Sequence, residues 1–445
     1  MKEHFLVIKD KIKQPWILTV ILVAVIPICP EYVAPVLASC SLIAAHFDAC
    51  ARGTGFQIGN LGKLILIYIA YMALGVLYST NILSTLATLG MWIVMFMAYM
   101  ALTTVLQCRK RLDTTFLIVT LVAGTVGLIG CVQYMLRVSL GLKISTEFWS
   151  FIDEPVFDLL NIKIKGFENG YRVSSTFNNP NIFAEFMVMA LPFAAYYSIY
   201  GKRKKAHLLC RFCLMAAAGG IAFSYSRGSY TGLLAVALVF GIANIKDIFL
   251  IVLTIISGLL LVPQSVMDRL FSVTHPDSSI SERIRIWISS TALIKDNPLF
   301  GIGAGVNNTW ALLLKNGINA PHMHSLAIQL LIEGGIIAFA IFIVIGWNIV
   351  HYGISISTSR NSSRFIGIVI IAFILGFIMC GAVDFPLMTP KLVGAFLAVL
   401  AFCDSAAVIF LDRRTSSLND VLALKWKTKS VQGENVLCSH TKIYK

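Results

Sequence analysis

The chain has 445 residues, 57% of them apolar and only 13% charged, with a formal net charge of +14 and a mean hydropathy of +0.80. About a quarter of a soluble protein's residues are charged, so this composition excludes a soluble multidomain protein and points to the lipid bilayer. The apolar residues fall in blocks of about 20, the helix length that crosses a hydrocarbon core of about 30 Å. Strand-length alternating segments are absent, which argues against an outer-membrane barrel.

In chain order, membrane spans are expected at residues 16–28, 32–47, 61–78, 82–107, 114–136 and 181–200. Six more follow at 207–223, 229–242, 248–262, 325–349, 365–383 and 392–411. The fold class is therefore an all-α polytopic membrane protein of about 12 transmembrane helices. Only Cys29, Pro30 and Glu31 separate the first two blocks, so one long broken helix is the alternative there. No small-residue cleavage site ends the first block, so it reads as a span and not a removable leader.

With the N terminus inside, two thirds of the 36 Lys and Arg lie on the cytoplasmic side, as the positive-inside rule requires. Both termini are then cytoplasmic. Cationic loops facing anionic lipid account for the net charge, so the expected partner is the bilayer and no nucleic acid is implied. The chain divides into N-terminal helices over 1–138, a first extracytoplasmic loop over 139–178, a membrane region over 179–411 and a basic tail over 412–445. The membrane region includes a second large extracytoplasmic loop, 263–324, between spans nine and ten. Structureless loops of this size are uncommon unless functional, so chemistry is expected on the external face. None of the ten cysteines lies in either large extracytoplasmic loop, which implies no external disulfide framework.

The second loop is readable. Ser279 and Glu282 form a capping-box pattern that opens a helix reaching about Asp296, where Asn297-Pro298 stops it. Arg283 then stands in or just beyond the first turn, where its charge adds to the helix-terminal amides and suits a phosphate or diphosphate. Trp287 shares its face and Arg285 points away. Arg227, in Ser226-Arg227-Gly228 at the external end of spans seven and eight, is a functional candidate because a span-edge arginine is costly unless it faces a cavity or partner. Gly228 and Gly232 beside it permit close approach of another helix.

Pro321-His322-Met323-His324-Ser325 precedes span ten, and histidine is the side chain suited to proton transfer near neutrality. Residues two apart diverge on a helix, so only one of His322 and His324 enters a shared site unless the segment is extended. His275 and Asp277 complete no recognised zinc spacing, and no metal is expected. Before span six, Asn179 reads as a helix cap and Pro180 as the first helical residue. Glu185 lies about a turn into that span and is expected to pair with Arg172 or Arg227. The run Gly301-Ile302-Gly303-Ala304-Gly305 follows a helix instead of a strand and reads as a turn, not a nucleotide loop.

Taken in order, Arg172-Val-Ser-Ser-Thr-Phe-Asn-Asn-Pro-Asn181-Ile-Phe-Ala, Ser226-Arg227-Gly228, Ser281-Glu282-Arg283-Ile284-Arg285-Ile286-Trp287, Asn297-Pro298-Leu299-Phe300-Gly301-Ile302-Gly303, His324-Ser325-Leu326 and Glu333-Gly334-Gly335 resemble the O-antigen ligase family. That family takes in O-antigen ligases, Wzy-type polymerases and protein O-oligosaccharyltransferases. The resemblance covers about residues 171–342; the first five spans share only hydropathy. It implies a glycosyltransferase of GT-C-like fold in the bacterial cytoplasmic membrane, with its active site facing the periplasm or exterior.

The reaction so implied moves a glycan from an undecaprenyl-diphosphate carrier to an acceptor hydroxyl, inverting the anomeric carbon, with no cofactor and no metal. The acceptor is a glycan or lipid, lipid A core where an outer membrane exists. Arg227 and Arg283 would hold the diphosphate, with Arg285 as second choice, and His324 would be the base, with His322 as second choice. Arg172, Asn181, Glu185 and Trp287 would support the substrate site. The family often has Asn after the histidine where this chain has Ser325. A Wzy-type polymerase is the alternative within the family, and a twelve-span transporter the alternative from another class, although no repeat relates the two halves.

Overall fold

The computed structural model describes residues 15–140, 172–200, 204–243, 278–359 and 364–411, and the regular elements among them are helices. They are α1 (Pro15–Val25), α2 (Ala34–Arg52), α3 (Asn60–Leu74), α4 (Ile82–Val105), α5 (Arg109–Leu140), α6 (Pro180–Tyr200) and α7 (Lys204–Phe223). There follow α8 (Arg227–Ala243), α9 (Ser278–Asp296), α10 (Val306–Lys315), α11 (Leu326–Ser357), α12 (Arg364–Gly381) and α13 (Pro390–Phe410). Among the described residues nine helices are long and apolar enough to cross a membrane, and α1 and α8 are apolar but shorter. The protein is an all-α polytopic membrane protein. The expected span at 248–262, most of the loop over 139–178 and the tail over 412–445 lie outside the described residues.

The N-terminal apolar stretch is two helices, joined through a short 3-10 turn at Glu31–Val33. Leu77, Leu83 and Ile242 are almost fully exposed, while Asp48, Glu185, Glu333, Lys391 and Asp404 are buried. That reversal of the soluble pattern suits a bundle whose surround is hydrocarbon, where polar groups must find partners inside. Helices α6 and α13 are the most enclosed.

Small residues set the helix crossings. A β-carbon on Gly232 of α8 would lie 2.7 Å from Cys380 Sγ of α12 and 2.9 Å from Val188 Cγ1 of α6; one on Gly228 would lie 2.6 Å from Val383. The close approach expected of these two glycines is therefore realised, against α12. Helix α11 breaks at Gly335, whose φ of 64° and ψ of −164° are non-helical. Leu299 and Phe300 occupy the space a side chain there would need.

Helix direction alternates, which separates two ends. At one, buried Asp48 holds Arg52 at 2.9 Å and Arg111 at 2.8 Å, and Arg364 donates to the Ala243 carbonyl at the C-terminal end of α8. At the other lie the starts of α6, α8 and α11, helices α9 and α10, and the turn between α12 and α13. Helix α9 begins at Ser278, a residue ahead of the expected cap Ser279, and ends at Asp296 before Asn297-Pro298. The Gly301–Gly305 run is a turn, as expected: Gly301, Gly303 and Gly305 have positive φ. Asn308 at its edge is buried and bonds Ser79, Thr85 and the Ala304 carbonyl, docking α10 on the start of α4.

Candidate active site

The site grows from helix starts. Asn179 accepts from the Asn181 amide at 2.8 Å and its carbonyl from the Phe183 amide at 3.0 Å, so it caps α6 and Pro180 leads the helix. That places Asn181 in the first turn and buried Glu185 on the same face a turn deeper. Asn181 Nδ2 donates to Asp384 Oδ2 at 2.8 Å, and the Arg172 guanidinium holds Asn181 Oδ1 from the other side. Arg172 Nε also donates to the Ser224 carbonyl at 2.9 Å. The expected pairing of Glu185 with Arg172 gives way to this Arg172–Asn181 contact, and the charged neighbours of Glu185 are Asp384 and Arg283.

Asp384, in the turn after α12 and 7% exposed, is the centre. His324 Nδ1 lies 3.1 Å from its Oδ1 and His322 Nδ1 3.9 Å from the same oxygen. Arg283 Nη2 of α9 lies 3.5 Å from Oδ2, and the Phe385 amide donates to Oδ1 at 3.0 Å. Burial alone would raise this carboxyl, but the His324 hydrogen bond, His322 and Arg283 outweigh it and hold Asp384 below the usual carboxylate range. An ionised carboxylate only accepts, so His324 Nδ1 carries the proton of that contact and Nε2 keeps the lone pair.

His322 differs. Burial and His324 push its imidazole down to about 3, with Asp384 opposing and Arg283 assisting. Its Nδ1 accepts the backbone N–H of His324 at 3.2 Å, so the neutral ring carries its proton on Nε2. Both histidines approach one carboxylate because 321–325 is not helical; their ring centroids are 4.0 Å apart. His324 itself has a φ of 48°.

The remaining candidates take distinct places. Arg227 is the first residue of α8, beside Gly228, which packs on Val383 immediately before Asp384. Trp287 Nε1 donates to the Met323 carbonyl at 3.0 Å, tying the helix of Arg283 to the histidine turn. Arg285 turns away, exposed, with Nη2 on the Gly317 carbonyl at 3.1 Å. Sequence reasoning missed Asp384. The available signal was a carboxylate at a span end, which marks a functional candidate by default.

His322, His324 and Asp384 have ligand atoms within 4.8 Å of one another, a spacing that a divalent ion could use. In this arrangement Asp384 already accepts from His324, Phe385, Asn181 and Arg283, the full capacity of a carboxylate. Its lone pairs orient a histidine and an arginine.

The fold and the site together define a polytopic membrane protein with an arginine–histidine–aspartate site at one end of its bundle. Residues 212–343 match the O-antigen ligase family model, which supports the family resemblance carried by the motifs and, with it, a ligase- or polymerase-type role in glycan assembly. The matched segment holds Arg227, Arg283, His322 and His324, whereas Arg172, Asn181, Glu185 and Asp384 lie outside it. No curated protein matches the chain.

Proposed function

We propose that the protein is a membrane glycosyltransferase that moves a glycan from an undecaprenyl-diphosphate carrier to an acceptor hydroxyl at the outer face of the cytoplasmic membrane. The observation that carries this reading is the meeting of His324 and Arg283 on Asp384 within a family-matched, membrane-embedded chain. His324 Nε2 takes the acceptor's proton as its oxygen attacks the anomeric carbon. The bond from that carbon to the diphosphate oxygen breaks, and its electron pair leaves with the diphosphate, which Arg283 and Arg227 hold. Attack opposite the leaving group inverts the anomeric carbon.

His324 takes this role ahead of His322, whose lone pair on Nδ1 is already engaged. Asp384 orients the imidazole through the contact at Nδ1. Two arginines supply the leaving-group charge that a divalent ion supplies in many phosphate-transfer sites, so transfer proceeds without a metal. The site lies at one end of the bundle and not in broken helices at its middle, which favours the enzyme over a transporter.

The test is purified protein in nanodiscs, given lipid-diphosphate-linked glycan and EDTA, with and without lipid A core. Glycan appearing on the core establishes a ligase, and a ladder of lengthening chains without it a polymerase. Activity abolished by EDTA and restored by a divalent ion overturns the metal-free step. Full activity in His324→Ala overturns the base.

A further inference from the structure

Gln329 and Glu333 stand one turn apart on α11 and share a face. Both are buried, at 0% and 5% exposure, where polar groups are costly unless bonded. They are bonded in series. The Met323 amide donates to Gln329 Oε1 at 2.9 Å, Gln329 Nε2 donates to Glu333 Oε1 at 2.9 Å, and the Gly305 amide donates to that same Glu333 oxygen at 3.0 Å. The series runs from the glycine turn to the peptide between the two histidines.

Met323 is held from the other side as well. The Met323 carbonyl takes the Trp287 indole N–H, and its buried sulfur receives the Ser290 hydroxyl at 3.3 Å. The next residue, His324, sits at a φ of 48°, in the left-handed region that is uncommon for residues with a β-carbon. Resting on the function proposed above, we infer that Gln329 and Glu333 are positioning residues, which fix the Met323 amide and thereby hold the His324 ring on Asp384.

The direction of the series makes the inference testable. Gln329 accepts at one end and donates at the other, which glutamine does and an ionised glutamate does not. Gln329→Glu therefore sets a second carboxyl against Glu333, and the two bond only while sharing a proton. Glu333→Gln keeps an oxygen that serves both Gly305 and Gln329. The double exchange Gln329→Glu with Glu333→Gln restores one donor and one acceptor, reversed in direction.

Steady-state transfer is measured for these variants and Gln329→Ala, alongside hydrogen exchange of the 321–325 amides in nanodiscs without glycan. Gln329→Ala and Gln329→Glu lower kcat on the order of 100-fold, the effect of misplacing a reacting group by about 1 Å. Their donor KM stays unchanged, because Arg227 and Arg283 are untouched. Gln329→Glu loses further activity as pH rises, Glu333→Gln behaves as wild type, and the double exchange recovers most of kcat. The 321–325 amides exchange slowly in wild type, Glu333→Gln and the double variant, and quickly in the two single Gln329 variants.

A fully active Gln329→Glu, a double variant no better than that single one, or a loss confined to KM and thermal stability overturns the inference. Fast exchange in Gln329→Ala with kcat intact overturns it too. Should wild type move no glycan, the proposed function fails, while the exchange data still decide whether the pair holds the turn.

Discussion

Asp384 has two oxygens and four donors around them, from His324, Phe385, Asn181 and Arg283, and this crowding gives the site its chemistry. Asp384→Asn keeps the size but replaces one acceptor oxygen with an N–H donor, so the amide must turn a donor toward His324 or toward Arg283. Removing the orienting carboxylate from a hydrogen-bonded histidine costs up to about 10⁴-fold in kcat; a loss of that order with unchanged membrane insertion is expected. An Asp384→Asn enzyme within about tenfold of wild type, roughly 1.4 kcal/mol, would show that His324 is oriented by other groups. His322 gives a second readout. The folded site keeps it neutral down to about pH 3, whereas the unfolded chain takes up its proton below the ordinary value of 6.5. The unfolded state thus binds the extra proton between those limits, so stability rises with pH across this window, by at most about 1.4 kcal/mol per unit. Asp384 works in a lower window, adding stability above the ordinary carboxylate value that is lost as pH falls through its depressed one. Between pH 7 and 5 the thermal midpoint of wild type should fall, and His322→Gln should flatten that fall; identical slopes would contradict the neutral, buried imidazole. Arg227, Arg283 and His324 stood out as candidates in the sequence, as an arginine at a span edge, an arginine at a helix start and a histidine just before a span. Asp384 and Gln329 did not: a single carboxylate between Val383 and Phe385 and a single amide inside α11 carry no pattern, and their importance comes from what the fold brings to them.

At the scale of elements, the helices were legible because the bilayer demands a length and a composition that can be counted, and the Asn179-Pro180 start of α6 because capping is local chemistry. Which helices touch was only partly legible. Gly228 and Gly232 announced a close crossing, but nothing in the sequence named α12 as the partner or showed that this crossing places Arg227 beside the Asp384 turn. Gly232→Leu should force α8 off Cys380 and Val188, with an overpacking cost of about 1–3 kcal/mol, and should reduce transfer by moving Arg227 away from the turn that carries Asp384. The matched control is Gly90→Ala in α4, where a new β-carbon meets nothing within 4 Å. That change should be neutral or stabilise by up to about 1 kcal/mol through helix propensity. Unfolding of the two variants in detergent, followed by tryptophan fluorescence, separates them. Equal stability and equal transfer would mean that α8 does not bear on α12 as described.

For the whole molecule, the distribution of charge between the two ends carries the orientation. The end opposite the site holds Arg52, Arg109, Arg111 and Arg364 near helix termini, with Asp48 tying two of them, and the positive-inside rule reads that end as cytoplasmic. The site end has arginines too, but Arg172, Arg283 and Arg285 engage Asn181, Asp384 and the Gly317 carbonyl, so they belong to a built site more than to a headgroup-facing loop. The proposed transfer from a lipid-diphosphate carrier requires that the site end face outward. Single-cysteine probes decide this in intact cells with a membrane-impermeant maleimide, scored against the label taken up by the parent chain. Ser281→Cys, exposed on α9, should label without permeabilisation, and Lys110→Cys, exposed at the start of α5, only after it. The reverse pattern would put the arginines and histidines in the cytoplasm, where the acceptor glycans of the proposed reaction are absent, and would remove the outer-face transfer while leaving the geometry around Asp384 to be explained by another substrate.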